Sequence, residues 1–334
     1  MNKISFIYIL FFSSWALPIK SSYFTNDITN SINFISIGDW GGASLGGYHL
    51  TNIKNTAKLM LQHSINYNSQ FILNSGDNFY YCGIQNLSDP QINNDFTDIF
   101  NEINLPWFNI LGNHDYGFEP SVQLRLNTII KNWILDDRYY FRKLNINNTI
   151  INIIALDTNP CINDYRGNDR RLWDPCNYEF PTCGPEPGIC KFHDNILEQN
   201  CSTQLEWFQN IINNINETEW TIVIGHHPAS EINNCNFQTL LSNKKVNLYI
   251  NGHVHSLQHY SIDNQEKYVT TGAASMVIPK TSHINHNIML SDNVKMLFNK
   301  IETGYTTHTI FNNTLTTYFW NINNNIIYSF QINR

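Results

Sequence analysis

The chain has 334 residues, 42% hydrophobic and 14% charged, with a net charge of −7 and no lysine/arginine run. That is enough polypeptide to bury a sizeable core in one large domain or two small ones. The missing basic footprint excludes a dedicated nucleic-acid binder, and strand patterns that continue through the abundant asparagines exclude a prion-like tract.

Met1 to about Lys20 carries Lys3 and then an apolar run from Ile4 to Leu17. The run is short for a membrane span and suits the core of a secretory signal. Residues 1–22 are therefore expected to be a leader and 23–334 a single mature domain, with a retained signal anchor as the alternative. No later run reaches transmembrane length.

The mature chain opens with a strand, Asn33–Ile37, that runs into Gly38-Asp39-Trp40-Gly41-Gly42. Ile53, Ala57, Met60 and Leu61 then predict a helix over 51–64. A second strand, 70–74, ends at Gly76-Asp77-Asn78-Phe79-Tyr80-Tyr81-Cys82-Gly83, and a polar helix-like segment covers about 89–103. A third strand, 107–111, ends at Gly112-Asn113-His114-Asp115. A further helix is expected over 121–135 and a β-branched strand over 149–156, ending at Asp157.

Five of the seven cysteines (Cys161, Cys176, Cys183, Cys190 and Cys201) crowd a loop at about 160–201. This reads as a stapled insertion made in an oxidising compartment, because close pairs of the zinc-site type are missing. Seven is odd, and Cys82 is the expected leftover. Sequons at Asn86, Asn147, Asn200, Asn216 and Asn312 permit glycosylation in that setting. Beyond the loop come a helix over 204–215, a strand 220–224 ending at Gly225-His226-His227-Pro228, and a strand 246–250 ending at Gly252-His253-Val254-His255. A mostly extended tail, with strands near 267–271, 305–311, 315–321 and 325–331, suggests a closing antiparallel meander.

Five times, then, a strand ends in glycine followed by a group with metal-binding capacity: Asp39, Asp77, Asn113, His226, His253. Loops at the carboxyl ends of strands in α/β sheets converge on sites. One such turn is commonplace; five with compatible ligand chemistry are not. Asp39, Asp77 and Tyr80 are hard oxygen donors. His226, His253 and His255 are imidazoles, and Asn113 offers a neutral carbonyl. A phenol ordinarily loses its proton near pH ~10, so Tyr80 becomes a good ligand only beside a strongly Lewis-acidic ion such as Fe(III). Imidazole and amide oxygen suit a divalent ion: Fe(II), Zn or Mn. A carboxylate can bridge two cations, which places Asp77 between them. Three anionic donors facing a trivalent and a divalent ion leave the centre positive, so it should attract phosphate. Paired metals are a recurring device for in-line displacement at phosphorus. Hydroxide on the high-charge ion is the expected nucleophile, with activity reaching into the acidic range. His114 is placed to protonate the leaving group, Asp115 to orient His114, and Asn113 and His227 to contact substrate. His49, His63, His193, His283, His286 and His308 have no motif context, and His259 reads as a surface or supporting residue.

With these five motifs the chain resembles the metallophosphoesterase superfamily, specifically the small purple (tartrate-resistant) acid phosphatases, from about residue 33 to the end. The tyrosine three residues after Asp77 is the specific part. The resemblance implies an α/β (α+β) four-layer sandwich, two mixed β-sheets flanked by α-helices. It implies Asp39, Asp77, Tyr80 and His255 on ferric iron, Asp77, Asn113, His226 and His253 on the divalent ion, and His114 as acid. It also implies a purple colour and a Cys161–Cys235 disulfide. Two departures stand out: Val254 where aspartate is frequent, and no counterpart in Ala229–Asn234 for a histidine that mammalian members carry. The expected protein is a secreted or lumenal monomeric acid phosphatase acting on phosphorylated small molecules or phosphoproteins. A phosphodiesterase or nucleotidase of the same superfamily and a non-catalytic iron-binding protein are the alternatives.

Overall fold

The computed structural model describes residues 30–167, 183, 190–277 and 293–334. The expected leader, most of the cysteine-rich loop with Cys176, and His283 and His286 lie outside the described residues. Fourteen strands follow in chain order among those described: β1 (Ile32–Ile37), β2 (Ser69–Asn74), β3 (Trp107–Asn109), β4 (Trp133–Ile134), β5 (Tyr140–Ile146), β6 (Thr149–Ala155), β7 (Trp220–Ile224), β8 (Leu248–Asn251), β9 (Leu257–Ile262), β10 (Gln265–Thr271), β11 (Val294–Lys300), β12 (Gly304–Phe311), β13 (Thr314–Asn321) and β14 (Ile326–Asn333). They form two seven-stranded sheets, in the orders β14-β13-β12-β1-β2-β3-β4 and β11-β9-β10-β8-β7-β6-β5.

Both sheets are mixed, and both keep a parallel centre. In the first, β1, β2, β3 and β4 run parallel while β12 lies antiparallel to β1. In the second, β6, β7, β8 and β10 are parallel, with β5 and β9 antiparallel beside them. The central strands are apolar on both faces and buried throughout, as β1 (INFISI) and β7 (WTIVI) illustrate; strands covered on both sides read as near-continuous hydrophobic runs. The helix Gly47–Asn66 buries Ile53, Ala57 and Met60, and the helix Cys201–Asn214 buries Phe208 and Ile212. Asn200 caps the latter, its side chain accepting from the Ser202 and Thr203 amides. Thr271 Oγ1 on β10 donates to the Ser36 carbonyl on β1 across 3.0 Å, tying one sheet to the other beside the site. This is the expected sandwich. No described helix is long and apolar enough to cross a membrane.

Two expected elements take other forms. Residues 121–135 are not one helix: Pro120–Thr128 is 3₁₀-helical, and Trp133–Ile134 is strand β4. The Trp133 indole donates to the Gln123 carbonyl at 3.1 Å, and β4 pairs with β3, so tertiary pairing overrides helical spacing. The segment at 89–103 is a six-residue π-helical stretch, Ile92–Thr97, followed by a short α-turn. Strands β5, β9 and β11 lie outside the expected set. Asn147-Asn148 and Asp263-Asn264, all four at positive φ, close the β5–β6 and β9–β10 hairpins, the geometry two-residue hairpin loops require.

The disulfide pattern also differs. Cys161 pairs with Cys201, not Cys235, and Cys82, expected free, pairs with Cys183. Cys201 opens its helix with its Cα 5.2 Å from that of Cys161. Among the described residues Cys235 is the free thiol, its Sγ 3.6 Å from the Ser202 hydroxyl.

Candidate metal centre

Loops after β1, β2, β3, β7 and β8 meet at one point. The glycines explain how the backbones approach. A Cβ on Gly112 would sit 2.1 Å from Asp77 Oδ1, and one on Gly252 would sit 2.4 Å from Asp39 Oδ2; only hydrogen fits there. Four of the side chains that gather there sit on strained backbone. Asp39, Asp77, His253 and His255 all lie in the left-handed region, at φ 54°, 55°, 71° and 52°. Such conformations cost of order 1–3 kcal/mol each and gather at functional sites.

Seven side chains converge there, in two groups sharing one carboxylate. In the first, the Tyr80 hydroxyl lies 3.3 Å from Asp39 Oδ1, 3.0 Å from Asp77 Oδ2 and 2.9 Å from His255 Nε2. In the second, Asn113 Oδ1 lies 3.0 Å from both His226 Nε2 and His253 Nδ1, and His226 Nε2 is 3.4 Å from Asp77 Oδ1. Asp77 thus turns one oxygen to each group. All seven are buried.

The donor chemistry fits cations. His226 Nδ1 is 2.8 Å from the Ser75 carbonyl, which can only accept. Nδ1 therefore carries the proton, and a neutral His226 aims the Nε2 lone pair at the oxygens of Asn113 and Asp77. Lone pairs facing lone pairs in a buried site demand positive charge. In the chain alone that charge comes from protons. Burial would depress the His226 imidazolium, but the Asp77 carboxylate overrides burial and holds it at about 9. Burial likewise works to raise Asp77, yet His226 and His114 hold it below the usual carboxylate range. Asp39 moves up, burial outweighing His255. Burial, then the carboxylates of Asp77 and Asp39, push the Tyr80 phenol well above its ordinary value, so only a strongly charged ion nearby would free its oxygen. Asp39, Asp77 and His226 bring one ligand atom each within 4.8 Å of one another.

The remaining candidates fall as follows. His114 sits at the rim, half-buried; its amide donates to Asp77 Oδ1 at 2.9 Å, and its Nδ1 donates to the Tyr81 carbonyl at 2.7 Å. Tyr81, not Asp115, sets its ring. The Asp115 carboxylate instead accepts from the amides of Asn78 (3.1 Å), Phe79 (3.1 Å) and Gly112 (2.8 Å), and from Gln123 Nε2 (2.8 Å), locking two of the five loops together. His227, expected to face substrate, is turned inward: its Nδ1 lies 2.7 Å from Thr158 Oγ1 and its Nε2 2.8 Å from the Tyr165 hydroxyl. His259 is buried on β9, its Nδ1 3.0 Å from the Tyr328 hydroxyl, against Phe330. Trp40 serves the scaffold; its indole donates to Asn74 Oδ1 at 2.9 Å amid Phe79, Phe96, Phe100, Trp107 and Trp133. One neighbour went unread in the sequence: Glu231, whose Oε2 is 3.7 Å from His253 Nε2. Its only sequence signal is an acidic residue three positions after Pro228.

Comparison with known proteins identifies the family. The family model for calcineurin-like phosphoesterases matches residues 32–257. The chain is 29% identical over 269 residues to tartrate-resistant acid phosphatase type 5 of Oryctolagus cuniculus, covering 76% of each chain. It is 26% identical over 291 residues to purple acid phosphatase 3 of Arabidopsis thaliana, covering 82% of this chain and 73% of that one. Among solved structures, the one titled "GAP50 the anchor in the inner membrane complex of Plasmodium" superposes with a TM-score of 0.65 at 22% identity, over 91% of this chain and 89% of that one.

Proposed function

Because the chain belongs to the calcineurin-like phosphoesterase family, we propose that it is an acid phosphatase of the purple type, hydrolysing phosphate monoesters at a centre of two unlike cations. The observation that carries this reading is the division of seven donors into two groups with Asp77 common to both. Asp39, Asp77, Tyr80 and His255 would hold Fe(III); Asp77, Asn113, His226 and His253 would hold Fe(II), Zn or Mn. When bound, such a pair supplies Lewis acidity toward phosphoryl oxygen and a nucleophile drawn from water.

The chain's own residues do the rest. His114 donates Nδ1–H to Tyr81, which leaves Nε2 as the nitrogen that carries the second proton of the imidazolium and delivers it to the departing alkoxide. Asn113 stands beside it to contact substrate. The Asp115 carboxylate keeps the loops of Asp77 and Asn113 in register. His227, occupied by Thr158 and Tyr165, supports the wall of the site. The Cys82–Cys183 and Cys161–Cys201 disulfides among the described residues and the apolar run from Ile4 to Leu17 support a secretory compartment, with residues 23–334 proposed as the mature enzyme.

The shared fold of the GAP50 chain leaves catalysis and anchoring equally open; the complete donor set favours catalysis. The test is turnover of 4-nitrophenyl phosphate against bis(4-nitrophenyl) phosphate by protein of measured metal content. A monoesterase cleaves the first far faster. Preference for the diester would turn the assignment to a phosphodiesterase. Inactivity toward both with both metals bound would defeat it.

A further inference from the structure

Each imidazole of the centre has two nitrogens, and the one turned outward fixes the tautomer of the one turned in. His226 turns Nδ1 outward to the Ser75 carbonyl. His255 turns Nδ1 outward to no hydrogen-bond partner among the described residues. His253 turns Nδ1 inward, 3.0 Å from Asn113 Oδ1, and Nε2 outward, 3.7 Å from Glu231 Oε2. Among the described residues, His253 is the one of the three that meets a carboxylate on its outer side.

The carboxylate is held there by the chain. The Glu231 amide donates to the Pro228 carbonyl at 2.9 Å, closing a turn directly after Gly225-His226-His227-Pro228. The Ala229 amide reaches the Tyr260 hydroxyl on β9 at 3.3 Å. One loop therefore delivers His226 to the centre and Glu231 to the back of His253, which arrives on another loop. His253 is the ion-pair partner of Glu231 among the described residues.

We infer that Glu231 is the positioning carboxylate of His253, setting the grip of the Asn113–His226–His253 group on its divalent cation. The inference rests on the reading of His253 as a cation ligand. When Nδ1 gives its lone pair, the proton must sit on Nε2, facing Glu231. Carboxylate partners of this kind fix ring orientation and raise ligand basicity, and their removal typically weakens metal affinity 10–100-fold.

The test uses full-length protein loaded with iron and zinc, titrated with a chelator while each metal is quantified. Glu231→Gln, which keeps the shape and removes the charge, should lose zinc at roughly 10- to 100-fold lower chelator concentration. The Tyr80-dependent visible band, a report on the other group, should be unchanged, and Glu231→Asp should recover part of the affinity. A structural role alone would disturb both metals and gain nothing from aspartate. Zinc retention in Glu231→Gln equal to the parent would overturn the inference while leaving the centre standing. Equal retention in His253→Ala would overturn the reading of the centre, and the inference with it.

Discussion

At the scale of single residues, side chains divide by what they touch. Tyr80 meets two carboxylates and an imidazole, so Tyr80→Phe should fold normally yet abolish the phenolate-to-metal absorption of loaded protein; a retained visible band would place the chromophore elsewhere. His114 hydrogen-bonds the centre through its backbone amide and lays its ring edge-on against Tyr80, none of its side-chain nitrogens counting among the seven donors. His114→Ala should therefore keep both metals and lose roughly 10²–10⁴-fold in kcat, less for substrates whose leaving groups need no proton; steady-state rates across a leaving-group series measure this. Asp115→Ala should act differently. It strips the partners from three buried amides, each orphan costing about 1–3 kcal/mol, so urea denaturation should report a loss of at least about 3 kcal/mol. The seven donors were legible because each motif carries its chemistry in residue type. The inward turn of His227 was not, since Thr158 and Tyr165 come from a distant segment. Neither was Glu231, a single acidic residue with no pattern around it.

At the scale of elements, the central strands were legible from their apolar runs and their glycine stops. The edges were less so. Strands β5 and β9 are joined to neighbours by Asn-Asn and Asp-Asn turns, and in so asparagine-rich a chain these do not stand out from the background. Segment 121–135 reads as helix by spacing, and becomes 3₁₀ helix plus strand because β3 offers β4 a free edge. The cysteine pairing failed for a similar reason: Cys201 and Cys235 both approach Cys161, Asn234 donating its amide to the Cys161 carbonyl at 2.9 Å, and sequence position does not choose between them. The loops themselves make a sharp prediction. Gly112→Ala forces a methyl group against Asp77, 2.1 Å from Oδ1. Bound metal should fall below two ions per chain, and phosphatase activity should fall with it. Normal stoichiometry would mean that the loop yields without moving Asp77.

At the scale of the whole molecule, an acid-range activity must coexist with buried imidazoles. His308 on β12 lies between Ser36 and Thr317, 2.9 Å from each, and stacks on Phe34. Burial pushes it down to about 3. The unfolded chain, with an ordinary histidine near ~6.5, takes up the proton first. Stability from this residue is therefore complete above pH ~6.5 and drains away as pH falls toward the folded value, by about 2 kcal/mol between pH ~6.5 and ~5. A His308→Gln variant should show a shallower decline of stability over that interval in denaturant titrations at stepped pH; an unchanged slope would assign the acid sensitivity to other groups. The claim on which all of this turns is that five loops from two sheets gather seven side chains around two unlike cations. Anomalous diffraction from crystals of the loaded protein, collected on either side of the iron edge, tests it most directly. Two peaks about 4 Å apart are expected on opposite sides of the Asp77 carboxylate, the iron-specific one against the Tyr80 oxygen. A single peak, or Tyr80 directed away from both, would contradict it.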